Sequence, residues 1–95
     1  MDFISWDIAK NNWLKEERNI SFEDVVFSIE QGTILDIIQH PNKERYPEQN
    51  MLIIEINNYA YLVPFIESSN EIFLKTIIPS RKATKKYLRN KNDKK

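Results

Sequence analysis

The residues best suited to chemistry fall into two cationic and aromatic sets. One reads His40-Pro41-Asn42-Lys43-Glu44-Arg45-Tyr46 and the other Lys75-Thr76-Ile77-Ile78-Pro79-Ser80-Arg81-Lys82. Such side chains suit transfer at a phosphodiester. Histidine titrates near neutral pH and serves as base or acid. Arginine presents a planar fork to phosphate oxygens and lysine a point charge, while tyrosine stacks on a base or donates a hydrogen bond. Cleavage of RNA without a metal needs these types: a base for the 2′-hydroxyl proton, a cation for the charge growing on phosphorus, and an acid for the leaving 5′-oxygen. Each residue also has a plainer role. His40 before a proline suits an ordinary surface loop, Arg45 can pair with an acid, Lys75 can be a solvated strand charge, and Tyr59 and Tyr61 can be packing residues.

Other chemistries are poorly served. With one histidine and no cysteine the chain cannot build a zinc site from imidazole and thiolate. With a single glycine it cannot build a glycine-rich phosphate loop or a dinucleotide fingerprint. No metal or cofactor is therefore expected. No apolar run approaches the roughly 18–20 residues of a membrane span, and the opening MDFISWDIAK lacks the regions of a signal peptide. The absence of cysteine is compatible with a reducing cytosol, and a cytoplasmic location is the expectation.

The formal net charge of zero conceals a division. Residues 1–80 hold six Lys/Arg against thirteen Asp/Glu, whereas residues 81–95 hold eight against one. A body of −7 thus carries an arm of +7. That asymmetry points to a polyanionic partner or to a tail folded on its own body. Lys75, Lys82, Lys85 and Lys86 are the lysines best placed to hold a nucleic-acid backbone.

Positioning these residues falls to a chain of 95 residues, enough for one domain. Asp7 suits the N-cap of a helix over Ile8–Arg18, with Ala9 and Trp13 on one face. Ser21-Phe22-Glu23-Asp24 has capping-box spacing, Ile20 and Val25 can form its hydrophobic staple, and Gly32 falls where a left-handed residue ends a helix. Phe22, Val25, Val26 and Ile29 should face the core. Patterning then turns extended: strands are predicted over Thr33–Ile38, Met51–Ile56, Tyr59–Ile66 and Glu71–Ile78, with Asn57-Asn58 as a type I′ turn. Along the last strand Ile72, Leu74 and Ile78 should share a face. Pro64, mid-strand, calls for a bulge or for pairing lost on one side. Ser80 precedes a final helix over roughly Arg81–Asn90 that frays into the lysine-rich tail. The predicted class is α+β: two N-terminal helices on one face of a four-stranded, mainly antiparallel sheet, and a basic C-terminal helix.

Four segments in this order resemble BrnT-family toxins. Phe3-Ile4-Ser5-Trp6-Asp7-x-Ala9-Lys10-Asn11 looks like their Trp-Asp-x-x-Lys opening. Ile20-Ser21-Phe22-Glu23-Asp24 is similar to their Val-Ser-Phe-Glu-Glu, and Glu44-Arg45-Tyr46 to their Glu-Arg-aromatic step. Ile77-Ile78-Pro79-Ser80-Arg81-Lys82-Ala83-Thr84 resembles their Ile-Ile-Ser-Ala-Arg-Arg-Ala-Thr ending, with Pro79 in place of a serine. The resemblance reaches to about Tyr87. It implies a RelE-like ribonuclease fold and the toxic half of a type II toxin–antitoxin pair. The partner would be a small DNA-binding antitoxin, usually of ribbon-helix-helix type, and RNA would be cleaved without a metal. Carried over by position, Arg45 and Arg81 would stabilise phosphate and Lys82 would be a second basic position, leaving His40 or Tyr46 for proton transfer. Arg45 and Arg81 are expected to meet at one end of the sheet. The alternative is a non-catalytic interaction module whose basic C-terminal helix binds a partner protein or nucleic acid.

Overall fold

The structure, a computed structural model, describes residues 3–39, 42–45, 47 and 49–89. Strand β1 (Phe3–Trp6) precedes helices α1 (Ile8–Arg18) and α2 (Phe22–Gln31). Strands β2 (Ile34–Gln39), β3 (Gln49–Ile56), β4 (Tyr59–Glu67), β5 (Glu71–Leu74) and β6 (Ile78–Pro79) follow. The described chain closes with α3 (Arg81–Ala83), which runs into a π-helical segment (Thr84–Arg89).

Local side-chain chemistry sets the helix ends. Asp7 accepts the Lys10 N–H at 2.9 Å, and Asn19 ends α1 in the left-handed region at φ 55°. At α2 the capping box is complete: Ser21 Oγ accepts the Asp24 N–H and the Asp24 carboxylate accepts the Ser21 N–H. Gly32 closes that helix at φ 79°, where a side chain would be strained. The buried amide of Asn11 joins the two helices: its Oδ1 accepts the Phe22 N–H at 2.7 Å and its Nδ2 donates to Glu23 at 2.9 Å. That bond to Glu23 is the main reason its carboxyl lies below the ordinary value.

The sheet has the order β1-β5-β4-β3-β2, with β6 continuing beside β4. It is mixed, because β1 pairs parallel to β5 while the other pairings are antiparallel. The four-strand expectation is thus corrected twice. β1 is added at an edge, and the strand expected over Glu71–Ile78 is broken at residues 75–77 into β5 and β6. The break resets the alternation. Ile77 is fully buried in the main core, whereas Ile78 pairs with Leu62, which packs on the opposite face from Leu74. Ile72, Leu74 and Ile78 therefore do not share a face.

Pro64 explains where the break falls. The Lys75 N–H donates to the Pro64 carbonyl at 2.8 Å, so that residue's backbone faces the β5/β6 side and not β3. β4 pairs with β5 at residues 65–67 and with β6 at 61–62, and Pro64 occupies the gap. Its missing N–H costs the β3–β4 ladder nothing, and that ladder runs unbroken from Gln49 to Ile56. Asn57 and Asn58, at φ 55° and 67°, make the hairpin turn that their types suit.

Both faces of the sheet are covered. α1 and α2 pack Leu14, Phe22 and Val25 against Leu52, Ile54, Val63, Phe65 and Leu74, and Trp6 stacks on Phe22 with ring centroids 5.5 Å apart. On the other face the C-terminal helix packs Ala83, Tyr87 and Leu88 against Ile53, Ala60 and Leu62. An irregularity between Ile34 and Asp36 lets Leu35 join this second cluster while Asp36 meets Tyr87. Helices thus cover both faces, the two N-terminal ones on one and the C-terminal one on the other. Among the described residues no helix is long and apolar enough to cross a membrane.

Candidate nucleic-acid interface

The C-terminal helix is held in place by few but well-connected residues. Ser80 caps it by accepting the Ala83 N–H at 3.0 Å. Thr84, buried, accepts the Ala60 N–H through Oγ1 at 2.8 Å and donates to the Ser80 carbonyl at 2.8 Å. The Ser80 N–H in turn donates to the Ala60 carbonyl at 3.0 Å. One turn further on, the Tyr87 hydroxyl donates to Asp36 Oδ2 at 2.7 Å. That bond is the first cause holding the Asp36 carboxyl below its ordinary value, helped by the Ile37 N–H and the charge of Lys86. Its counterpart raises Tyr87: the hydrogen bond to Asp36 comes first, then burial and the neighbouring carboxylate charge.

With Ala83, Thr84, Tyr87 and Leu88 turned to the sheet, the cations must leave on the two flanks. Residues four apart lie on the same side of a helix. Lys82 and Lys86 accordingly take one flank, beside Ile38, Met51 and Leu62, and the Lys86 ammonium lies 5.2 Å from the Tyr87 ring centroid. Arg81, Lys85 and Arg89 take the other. With Tyr59 and Thr84 they line a recess of about 450 Å³ at the hairpin end of the sheet. Among the described residues none of these three cations makes an ion pair, whereas Lys15 approaches Glu23 at 3.9 Å. Among the described residues the recess is therefore a concentration of cations without ion pairs, with Tyr59 on its wall.

The residues singled out from sequence divide accordingly. Arg81 and Lys85 share the recess, and Lys82 and Lys86 lie across the helix from it. Lys75 is exposed between β5 and β6. Arg45 is exposed in the turn before β3, where its N–H donates to Asn42 Oδ1 at 3.3 Å. His40 and Tyr46 lie outside the described residues. The expected meeting of Arg45 and Arg81 does not follow from the register. Arg45 leads into the end of β3 where Gln49 pairs with Ile66. Arg81 follows Pro79, which pairs with Tyr61 near the hairpin. Those two levels are five residues of β4 apart, about 17 Å at the rise of a strand. The segments that carry the two arginines therefore meet the sheet at opposite ends.

Arg89 was not assigned from sequence, although it repeats the four-residue spacing of Arg81 and Lys85. Tyr59 was read from sequence as a packing residue; its place beside the helix depends on Thr84 reaching Ala60, which no local pattern reveals. Tyr59 also lies edge-on to Tyr61, with ring centroids 5.7 Å apart, so packing and recess wall are joint roles. Comparison of the chain with protein-family models, curated proteins and solved structures finds no match.

Proposed function

We propose that this protein is the toxic half of a type II toxin–antitoxin pair, an endoribonuclease that grips RNA in the Arg81–Lys85–Arg89 recess and cleaves it without a metal. The observation that carries the reading is that recess: three cations without ion pairs among the described residues, next to a tyrosine. The BrnT-like order of the sequence motifs, which includes Arg81, supports it independently.

In the proposed reaction the 2′-hydroxyl loses its proton and attacks the adjacent phosphorus. The bond to the 5′-oxygen breaks, and that oxygen takes up a proton. Arg81 stabilises the charge that builds on the phosphate oxygens, with its fork matched to two of them. Lys85 and Arg89 hold the flanking backbone. Tyr59, which lines the same recess, is assigned as a further donor to the departing oxygen, and His40 and Tyr46 are the proton-transfer groups assigned from sequence. Arg45, at the other end of the β3–β4 ladder, is assigned to a more distant phosphate. The inhibitory partner is a small antitoxin, of ribbon-helix-helix type by the same resemblance.

The separation of Arg45 from Arg81 favours a second reading, in which the basic helix binds nucleic acid or a partner protein without cleaving anything. RNA cleavage and host growth separate the two, measured for wild type, Arg45→Ala, Arg81→Lys and Arg81→Ala, with and without a candidate antitoxin encoded beside this protein. Loss of a charge-stabilising donor typically costs about 100- to 1,000-fold in rate, so Arg81→Ala should be inactive, with Arg81→Lys in between. Co-expression of the antitoxin should restore growth. A wild-type protein that binds RNA but neither cleaves it nor slows growth gives the function to the binding module.

A further inference from the structure

A second recess, of about 340 Å³, opens where α2 faces the β3–β4 hairpin. Its volume is in the range of small-ligand sites. Phe27 and Tyr61 supply aromatic walls, and Asn19, Asp24, Gln31 and Asn57 supply polar ones. Phe27 is 63% exposed and takes no part in the core. Among the described residues the side-chain amides of Asn19, Gln31 and Asn57 have no hydrogen-bond partner. Neighbouring Ser28 and Thr33 are committed: both hydroxyls bond to the Glu55 carbonyl and to each other. The recess thus combines open amides with Phe27, an exposed aromatic side chain outside the core, and with Tyr61, which also packs on the core.

Its position supplies the ligand. The Tyr59–Tyr61 pair stands between the two recesses: Tyr59 lines the cationic one and Tyr61 the amide-lined one, with the rings 5.7 Å apart. A chain of phosphates held at Arg81, Lys85 and Arg89 would therefore present a base to the far side of that pair. Amides pair donor and acceptor with the edge of a purine, and a carboxylate accepts from an exocyclic amino group. Unstacked bases of single strands are taken up on aromatic rings. We propose that this recess is a base-recognition subsite for single-stranded RNA, holding an amino-bearing purine against Phe27 and Tyr61 while the adjoining phosphate lies among Arg81, Lys85 and Arg89. The proposal rests on the RNA-binding reading and adds the selectivity to it. Asn19, Gln31 and Asn57 read the base edge, and Asp24, which spends one oxygen on the Ser21 N–H at 2.9 Å, accepts from the amino group with the other.

The test is an NMR-monitored titration of the full chain with AMP, GMP, CMP, UMP and ribose 5-phosphate. It is run on wild type, Phe27→Ala and Arg81→Ala, with single-stranded RNA binding measured alongside. AMP or GMP should bind wild type about 5- to 150-fold more tightly than ribose 5-phosphate, the span that stacking one base on an aromatic side chain provides. Phe27→Ala should erase that preference and leave ribose 5-phosphate binding and melting temperature unchanged, because Phe27 is exposed. Arg81→Ala should weaken all five ligands. If UMP matches the purines, or if Phe27→Ala keeps the preference, the subsite is refuted while an Arg81-dependent RNA interface stands. If neither nucleotides nor RNA bind, the subsite and the function on which it rests fall together.

Discussion

Replacing Arg81, Lys85 and Arg89 together by glutamine isolates the charge of the recess from the fold of the helix. All three are exposed, and glutamine keeps length and helix propensity. Each cation that neutralises a phosphate of a single strand releases counterions and adds about 0.7 to the slope of log affinity against log salt, so three contribute about 2. Between 50 and 200 mM salt, a fourfold change, that share of the slope corresponds to an affinity loss of about 18-fold. Wild type should show this loss in addition to whatever the rest of the surface contributes, and the triple variant should not. The matching control is Lys82→Gln with Lys86→Gln, on the opposite flank of the same helix. It removes two charges from the same segment but should lower the slope by less than about 1. Fluorescence anisotropy with a labelled single-stranded RNA across that salt range gives both slopes, and circular dichroism melts confirm folding. An unchanged slope in the triple variant refutes the recess as the phosphate site, as does a larger drop in the double variant.

The remaining expectations concern the elements that hold the site. Thr84→Ala should destabilise by about 1–3 kcal/mol, because the Ala60 N–H loses its buried acceptor, and Thr84→Ser should recover most of it; denaturant unfolding reads both. Asn11→Ala should cost a similar amount, about 1–3 kcal/mol, by stranding the Phe22 N–H between α1 and α2. The Tyr87–Asp36 bond should make stability pH-dependent at both extremes. The folded-state value of Asp36 is lowered, so its contribution is present above its unfolded value near 3.8 and is lost as pH falls through the lower folded one. That of Tyr87 is raised, so its contribution is present below its unfolded value near 10.0 and is lost as pH rises through the folded one. Tyr87→Phe should melt lower than wild type between these limits and converge with it beyond them; parallel melting curves at every pH would refute the link.

Legibility in the sequence followed the range of the interactions. The ends of α1 and α2 are set by side chains bonding to backbone three residues away, Asp7 to Lys10 and Ser21 to Asp24, and spacing alone predicts them. The hairpin is as local, two asparagines in left-handed conformation. β1 is the reverse case. Its four residues are too few for a visible alternation, and they are ordered by pairing Phe3 with Glu71 and Trp6 with Leu74 at the far end of the chain. The break between β5 and β6 was half visible, since Pro64 announced lost pairing on one side without saying that the neighbouring strand would divide there. Strand parity separates Arg45 from Arg81. β3 and β6 both run antiparallel to β4, so the start of one and the end of the other lie at opposite ends of the sheet. The expected meeting rested on antiparallel order, yet the start of the second predicted strand and the end of the last fall at opposite ends of such a sheet once strand direction is counted.

The basic arm is two things at once, and this decides how its function can be tested. Its length from Arg81 to Arg89 alternates between groups that build the second core and groups that carry charge. Ala83, Thr84, Tyr87 and Leu88 cover Ile53, Ala60 and Leu62, while Arg81, Lys85 and Arg89 stand outside. Deleting residues 81–95 would remove eight cations, but it would also bare the apolar face of the sheet and take the acceptor from the Ala60 N–H. A truncated protein that fails to bind RNA would then report a damaged fold as readily as a lost contact. The same coupling gives the site its rigidity. The cations do not sit on a loose tail, because Thr84 and Tyr87 fix the helix to β4 and β2 at points one turn apart. A helix pinned at two points presents Arg81, Lys85 and Arg89 at a fixed spacing along one flank, which a disordered lysine-rich tail cannot do. That fixed spacing separates recognition of a particular phosphate arrangement from general attraction to polyanions.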